Sequence, residues 1–153
     1  MPARPLNIEG IQMPSLADYL TQLDHVGIAA GDLAAAVDFY QNTLGLVEVH
    51  REENLEQQVA EVMLQPSSGG AQIQLLAPLS PTSQIAKFLD RRGPGMQQLA
   101  FAVSDVEAAA AAARSAGVRV LYETAKNGTK GSKINFLHPA DCGGVLIELV
   151  QHV

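Results

Sequence analysis

The sequence has little of three features that would indicate particular classes of protein. Its single cysteine, Cys142, excludes a disulfide within the chain and predicts a small loop or core residue in a reducing compartment, the cytoplasm. Ten Lys and Arg stand against 16 Asp and Glu, and the net charge of -6 argues against a nucleic-acid or anionic-membrane partner. No run of about 20 strongly apolar residues is present, so we expect no membrane span.

One pattern is present twice in the chain. Residues 23–33 read LDHVGIAAGDL and residues 96–106 read MQQLAFAVSDV, and an offset of 73 aligns the two copies. At that offset His25 pairs with Gln98, so the third position holds an imidazole in one copy and an amide in the other. The repeat predicts two modules of the same fold, and 153 residues suffice for one domain with a real core.

In each copy a strand is followed by a capped helix. Asp32 in the first copy, and Ser104 or Asp105 in the second, are residues that favour helix N-caps. Gly45 and Gly117 follow the two helices and are typical of helix ends.

Three further strands are predicted after each helix, which gives an α+β fold of two tandem βαβββ modules. They cover 45–51, 58–65 and 72–77 in the first copy, and 118–123, 133–137 and 145–151 in the second. We assign residues 1–22 to an N-terminal extension, in which PSLADYLTQ predicts a short surface helix. The domain at 23–152 consists of module 1 (23–78), a linker helix (80–95) that ends at Gly-Pro-Gly, and module 2 (96–152).

Strand alternation predicts a polar strip on one face of the sheet. One helix per four strands covers only one sheet face, so the other must be solvated, paired or lining a cavity. Side chains alternate between the two faces of a strand, and this alternation places polar residues among small or apolar ones on that second face. If the strands curve together, five of them converge on one concave surface: His25, Glu61, Gln74, Gln98 and Glu148.

Several segments of the chain resemble the vicinal oxygen chelate superfamily, which includes glyoxalases and bleomycin-resistance proteins. They are DHVGIAAGDLAAAVDFY, QIQLLAP, AKFLDRRGPG and INFLHPADCGGVLIELV. Within this superfamily the sequence is similar to the methylmalonyl-CoA epimerase family, and the resemblance covers residues 23–151. It implies a curved mixed sheet around a metal-binding cavity.

The resemblance implies a divalent metal ion held by His25, Gln74, Gln98 and Glu148. The family pattern has a His-His pair where this chain has Gln97-Gln98, and often a lysine where this chain has Ala140. An amide oxygen can also bind a metal ion, although with it the site favours harder ions. For one imidazole, two amides and one carboxylate we favour Co or Mn, with Mg, Zn and Ni as alternatives.

The reaction that the resemblance implies is a 1,1-proton transfer at the carbon between a thioester and a carboxylate, through an enolate. The family's acid/base pair falls on Glu61 and Glu148, and Glu148 is also a metal ligand. A dication stabilises the developing negative charge as a Lewis acid. The expected activity is therefore metal-dependent epimerisation of a 2-substituted malonyl-CoA by a homodimer.

Other interpretations remain open at this point. Glu61 also fits a surface charge, and Gln98 fits a structural or substrate-contacting amide. The run KNGTKGSK supplies Lys126, Lys130 and Lys133, which fit either a solvated loop or a contact with the phosphates of coenzyme A. The alternatives to an epimerase are a glyoxalase-like lyase or biosynthetic isomerase of the same superfamily, and a binding protein with a degenerate site.

Overall fold

The computed structural model describes residues 14–153, which form eight strands and three helices longer than one turn. The first module contributes β1 (Leu20–Ala29), α1 (Leu33–Asp38), β2 (Val47–Asn54), β3 (Val59–Gln65) and β4 (Gln72–Pro78). Then come α2 (Gln84–Arg92), β5 (Gly95–Val103), α3 (Val106–Ser115), β6 (Lys126–Asn127), β7 (Lys133–Leu137) and β8 (Ile147–Gln151). None of the helices within residues 14–153 is long and apolar enough to cross a membrane.

All eight strands belong to one curled mixed sheet in the order β2-β3-β4-β1-β5-β8-β7-β6. The central pair, β1 and β5, is antiparallel, and each of the two pairs in parallel with its neighbour, β4 or β8. The strand order therefore reads the same from both ends, as the sequence repeat predicts. The predicted α+β fold of two βαβββ modules is confirmed.

Helices α1 and α3 cover the convex face of the sheet. Val37 of α1 packs against Val62 and Leu75, whereas Ala113 of α3 packs in a cluster with Leu149. Because these strand residues alternate with polar ones, the polar side chains are left on the concave face. Helix α2 closes one end of that face, where Ile85 and Phe88 pack on Ala29, Val59 and Leu76.

The predicted helix caps are correct. Asp32 and Asp105 each accept a hydrogen bond from the backbone N–H three residues later, at 3.0 Å, and so begin α1 and α3. Gly117 follows α3 with a φ of 84°, a left-handed conformation that favours glycine. The predicted linker helix is present as the shorter α2, with Ser83 as its N-cap.

The strand predicted at 118–123 is wrong. Only Val120 forms an isolated bridge, with Leu137, and the outermost strand of the second module is the two-residue β6. Two backbone bonds flank this bridge, Leu121 N to Phe136 O at 2.8 Å and His138 N to Arg119 O at 2.9 Å. The pairing stops there, and the side chain of Asn135 bonds both backbone groups of Tyr122, at 3.1 and 3.0 Å. The segment therefore follows β7 without forming a ladder.

Most of the predicted N-terminal extension, residues 1–13, lies outside the described residues. The predicted short helix is a single 3-10 turn at Leu16–Asp18. Strand β1 begins at Leu20, before the predicted start of the first module at residue 23.

Candidate active site on the concave face

Five polar side chains are buried together on the concave face of the sheet. None is more than 8% exposed: His25 (β1), Glu61 (β3), Gln74 (β4), Gln98 (β5) and Glu148 (β8). The register explains their approach, because Gly27 lies opposite both Gln74 and Gln98 on the neighbouring strands. The structure thus brings together all five residues that alternation predicts on one surface.

The five side chains form one connected polar network. Gln74 Nε2 donates to Glu61 Oε2 at 2.8 Å, and Gln98 Nε2 donates to Gln74 Oε1 at 3.1 Å. Gln98 Nε2 also donates to Glu148 Oε2 and lies 3.4 Å from His25 Nε2. The two carboxylates, Glu61 and Glu148, are therefore linked through two amides.

The side chain of Gln98 depends on the glycine beneath it. A Cβ atom at Gly27 would lie 2.5 Å from Gln98 Cγ and 2.9 Å from its Cδ, closer than real Cβ contacts. Gly27 has no positive φ in this structure, so the need for glycine here is steric. The small residue is what allows the amide to lie across the centre of the network.

His25 is held at both ring nitrogens. Its Nδ1 lies 2.6 Å from Asp24 Oδ2, and its Nε2 lies 3.4 Å from Glu148 Oε2. Burial opposes charge on the ring, but hydrogen bonds and Coulomb attraction from these two carboxylates raise the pKa of His25 to about 10. The other oxygen of Asp24 bonds His152 Nε2 at 2.6 Å, so Asp24 is fixed between two histidines.

Glu61 is a buried carboxyl group with three hydrogen-bonding neighbours. Thr129 Oγ1 donates to its Oε1 at 2.6 Å, Gln74 bonds its Oε2, and the Glu52 side chain also hydrogen-bonds to it. Burial, then the neighbouring Glu52 and Glu148 carboxylates, raise the pKa of Glu61 to about 8. A pKa near neutrality is the value that suits a general acid or base at physiological pH.

Two cavities adjoin the network. One of about 260 Å³ is lined on its apolar side by Leu76, Ile85, Phe136 and Leu146, and reaches Glu148. A second of about 250 Å³ lies against more polar side chains: Asp24, His25, Lys130, Ser132, Glu148 and His152. Glu148 lines both cavities, so a small molecule in either one reaches the polar network.

The three lysines of the 126–133 run lie near this site without converging on it. Lys126 Nζ lies 4.7 Å from the ring centroid of Tyr122, a side chain that lines the larger cavity. Lys130 lines the second cavity, and Lys133 Nζ donates to Asn127 Oδ1 at 2.5 Å. All three are exposed.

Sequence reasoning missed three residues that touch the network. Asp24 directly precedes His25, and a carboxylate beside a ligand-type histidine is a usable signal. Glu52 is the cross-strand partner of Glu61, which only the register reveals. Thr129 lies among the lysines of the 126–133 run, and nothing local in the sequence indicates that its hydroxyl reaches β3.

The donor atoms can be compared with those that metal ions prefer. His25 Nε2, Gln74 Oε1 and Glu148 Oε2 surround one point, where the Gln98 amide nitrogen lies. Within residues 14–153 no cluster of three or more His, Cys, Asp or Glu side chains suits a metal ion, so glutamine oxygens would have to take part. Gln98 would join such a set through Oε1 after its amide turns over.

The sequence and the fold have counterparts in known proteins. Residues 24–136 match the family model described as Glyoxalase/Bleomycin resistance protein/Dioxygenase superfamily. The mitochondrial methylmalonyl-CoA epimerase of Bos taurus is 38% identical over 133 residues, which cover 86% of this chain and 75% of that one.

Solved structures agree with this match. The methylmalonyl-CoA epimerase of Mycobacterium tuberculosis is 52% identical, with a TM-score of 0.85 and 96% of each chain covered. A methylmalonyl-CoA epimerase in complex with methylmalonyl-CoA and NH4+ is 47% identical, with a TM-score of 0.83 over 88% of this chain and 96% of that one. The chain therefore belongs to the glyoxalase/bleomycin resistance protein/dioxygenase superfamily, as an enzyme of the epimerase type.

Proposed function

We propose that this enzyme epimerises a 2-substituted malonyl-CoA of the methylmalonyl-CoA type by 1,1-proton transfer through an enolate. The observation that carries the proposal is the pair of buried carboxylates, Glu61 and Glu148, joined through Gln74 and Gln98 beside a cavity. Inversion at one carbon requires one group that removes a proton and a second that returns it from the other side. Relatives named methylmalonyl-CoA epimerase support the choice of substrate.

The two carboxylates have different roles in the proposed proton transfer. Glu61 is the acid/base group for one epimer, because its raised pKa of about 8 lets it hold or release a proton near neutral pH. Glu148 serves the other epimer, and its Oε2 also lies 3.4 Å from His25 Nε2. Glu148 thus combines proton transfer with a place in the proposed metal-binding set.

The same proposal includes a divalent metal ion held by His25, Gln74, Gln98 and Glu148, with Co or Mn favoured. When bound, such an ion supplies Lewis-acid stabilisation of negative charge on the thioester and carboxylate oxygens. Asp24 holds the His25 ring through Nδ1, which leaves Nε2 facing Gln98 and Glu148. Holding a ligating histidine by its second nitrogen is a common way to fix its orientation.

The coenzyme A part of the substrate extends toward the 126–133 run in this proposal. Lys126 lies at the Tyr122 wall of the larger cavity, and Lys130 borders the second one. Exposed ammonium groups pair with phosphates as point charges. The two cavities are too small for a whole coenzyme A, so only the acyl portion is enclosed.

The experiment follows proton exchange and inversion of each methylmalonyl-CoA epimer in deuterated water. We expect E61Q to lose inversion by about 10²- to 10⁴-fold, since one of two proton-transfer groups is removed, while its bound metal content is unchanged. It should retain exchange of the epimer that Glu148 serves. Metal analysis of H25A and E148A should show lost binding.

Glu53 provides a matched control, because it adjoins Glu52 on β2 and is exposed. E53Q should exchange and invert substrate as the parent does. Inversion by E61Q at the parent rate would remove Glu61 from the reaction. A parent enzyme that neither exchanges nor inverts any malonyl-type thioester would refute the proposed function.

A further inference from the structure

A short segment that begins at the last residue of β6 and leads toward β7 joins the two ends of the curled sheet. We name residues 127–131 the strap. Asn127 O accepts from Asn54 Nδ2 at 3.4 Å, and Lys130 N donates to Glu52 Oε1 at 3.1 Å. Strands β2 and β6 are the two outermost strands of the sheet, so these contacts close the open side of the half-barrel beside the network.

The backbone of the strap is constrained. Lys130 has a φ of 55° and Gly131 a φ of 71°, both in the left-handed region, which lysine rarely adopts. A Cβ atom at Gly128 would lie 2.5 Å from Ile134 Cγ2. A residue in a disfavoured conformation persists only where its surroundings hold it. Two backbone bonds close the turn around Lys130, Ser132 N to Thr129 O at 3.1 Å and Gly128 N to Ser132 O at 2.9 Å, and the Glu52 carboxylate ties it to β2.

The strap delivers one side chain to the proposed acid/base group. Thr129 Oγ1 donates to Glu61 Oε1 at 2.6 Å and lies 3.2 Å from Gln74 Nε2, which itself donates to Glu61 Oε2. Each oxygen of the Glu61 carboxyl group therefore has its own donor. Removal of the hydroxyl leaves Gln74 and Glu52 as the hydrogen-bonding neighbours of the carboxyl group.

Glu52 lies between the strap and Glu61. It is the cross-strand partner of Glu61, its side chain hydrogen-bonds to that carboxyl group, and its Oε2 lies 3.1 Å from His50 Nε2. The neighbouring Glu53 points away from this group and is exposed. Glu52 is thus placed to fix the strap without itself reaching the centre of the network.

We propose that Glu52 is a positioning residue for Glu61: it anchors the strap through Lys130 N, so that the Thr129 hydroxyl holds the Glu61 carboxyl group in its reactive orientation. The inference rests on the proposed epimerisation, in which Glu61 serves one epimer and Glu148 the other. Glu52 and Thr129 should therefore matter for the proton transfer of one epimer alone. General damage to the site would affect both epimers.

The test measures solvent deuterium exchange from each methylmalonyl-CoA epimer separately. E61Q first identifies the epimer that Glu61 serves, as the one whose exchange is lost. We expect T129V and E52L each to slow exchange of that same epimer by roughly tenfold, the order expected for one hydrogen bond to a charged group. Exchange of the other epimer should stay within about twofold of the parent, and T129S, which retains the hydroxyl, should restore the rate.

A double variant tests whether Glu52 acts through Thr129. Adding E52L to T129V should slow exchange by less than the product of the two single effects, because the part that Glu52 contributes through the Thr129 hydroxyl is already gone, although its own contact with Glu61 is lost as well. E53Q is the control for charge removal on β2, and unchanged thermal unfolding of T129V shows that the strap variant folds. Three results would overturn the inference even if E61Q behaves as proposed. The effects of E52L and T129V on the exchange rate could multiply fully, both epimers could slow equally, or neither could slow. If E61Q affects neither epimer selectively, the proposed function fails first and the inference with it.

Discussion

Gly27 is the residue whose substitution most directly tests the role proposed for Gln98. An alanine Cβ there would lie 2.5 Å from Gln98 Cγ, so G27A must displace that side chain. We expect G27A to weaken divalent-ion binding by roughly tenfold or more, as loss of one ligand implies. Calorimetric titration of the metal-free protein with Mn or Co measures this.

Gly31 offers the control for that substitution. A Cβ at Gly31 meets only Pro94 Cγ, at 3.8 Å, which is ordinary contact. G31A should bind the ion as the parent does. Equal affinity of G27A and G31A would place Gln98 outside the metal-binding set.

Glu61 should also make stability depend on pH. Its pKa of about 8 in the folded protein exceeds the ordinary 4.5, so between these values the folded state holds a proton that the unfolded chain has released. The free energy of unfolding of the metal-free enzyme should therefore fall as pH rises through this window, by at most about 1.4 kcal/mol per pH unit from this group. Denaturant unfolding at pH 5 to 8 should show a smaller fall for E61Q, and identical slopes would contradict the raised pKa.

At the residue scale, sequence patterns predict which side chains meet but not what holds them. Alternation along β1 and β8 suffices to place His25 and Glu148 on the concave face, because a strand has a fixed period of two. Thr129 and Glu52 lack such a rule, since their positions depend on a strap conformation and on strand register. Whether these residues bind metal or move protons remains a prediction.

Helix α3 depends on close packing of small side chains. Ala109 and Ala113 are fully buried against the sheet, whereas Ala111 on the same helix is exposed. We expect A113L to lower the free energy of unfolding by about 1–3 kcal/mol through overpacking, and A111L to change it by less than about 0.5 kcal/mol. Urea unfolding of both variants measures the difference, and equal stability would contradict the packing of α3 on β7 and β8.

At the element scale, local chemistry predicted the helices better than the outer strands. Asp32 and Asp105 begin their helices because a cap acts within one turn. The segment 118–123 is largely apolar, yet past its single bridge at Val120 the side chain of Asn135 bonds the Tyr122 backbone in place of a continued ladder. A competing side chain from 13 residues away cannot be read from a local pattern.

The proposed ligands come from both halves of the molecule, two from β1 and β4 and two from β5 and β8. A bound ion should therefore link the two halves through its ligands and stabilise the whole chain. At a free concentration about 100-fold above its dissociation constant we expect an unfolding temperature roughly 5 to 10 °C higher. Differential scanning calorimetry with Mn and with EDTA tests this, and an equal shift in H25A would show that the ion binds elsewhere.

The two halves of the sheet share the positions of the proposed metal ligands but differ at the position of Glu61. His25 and Gln98 are 73 positions apart, and Gln74 and Glu148 are 74 apart, so the proposed ligands occupy matching places in the two halves. At the first of these offsets Glu61 corresponds to Ile134, a buried apolar residue that lines the larger cavity. A symmetric assembly of two identical halves would place a carboxylate at both positions, in identical surroundings. A single chain carrying both copies can give each half its own residue, and so an asymmetric pocket in which the two proposed acid/base groups, Glu61 and Glu148, have different surroundings.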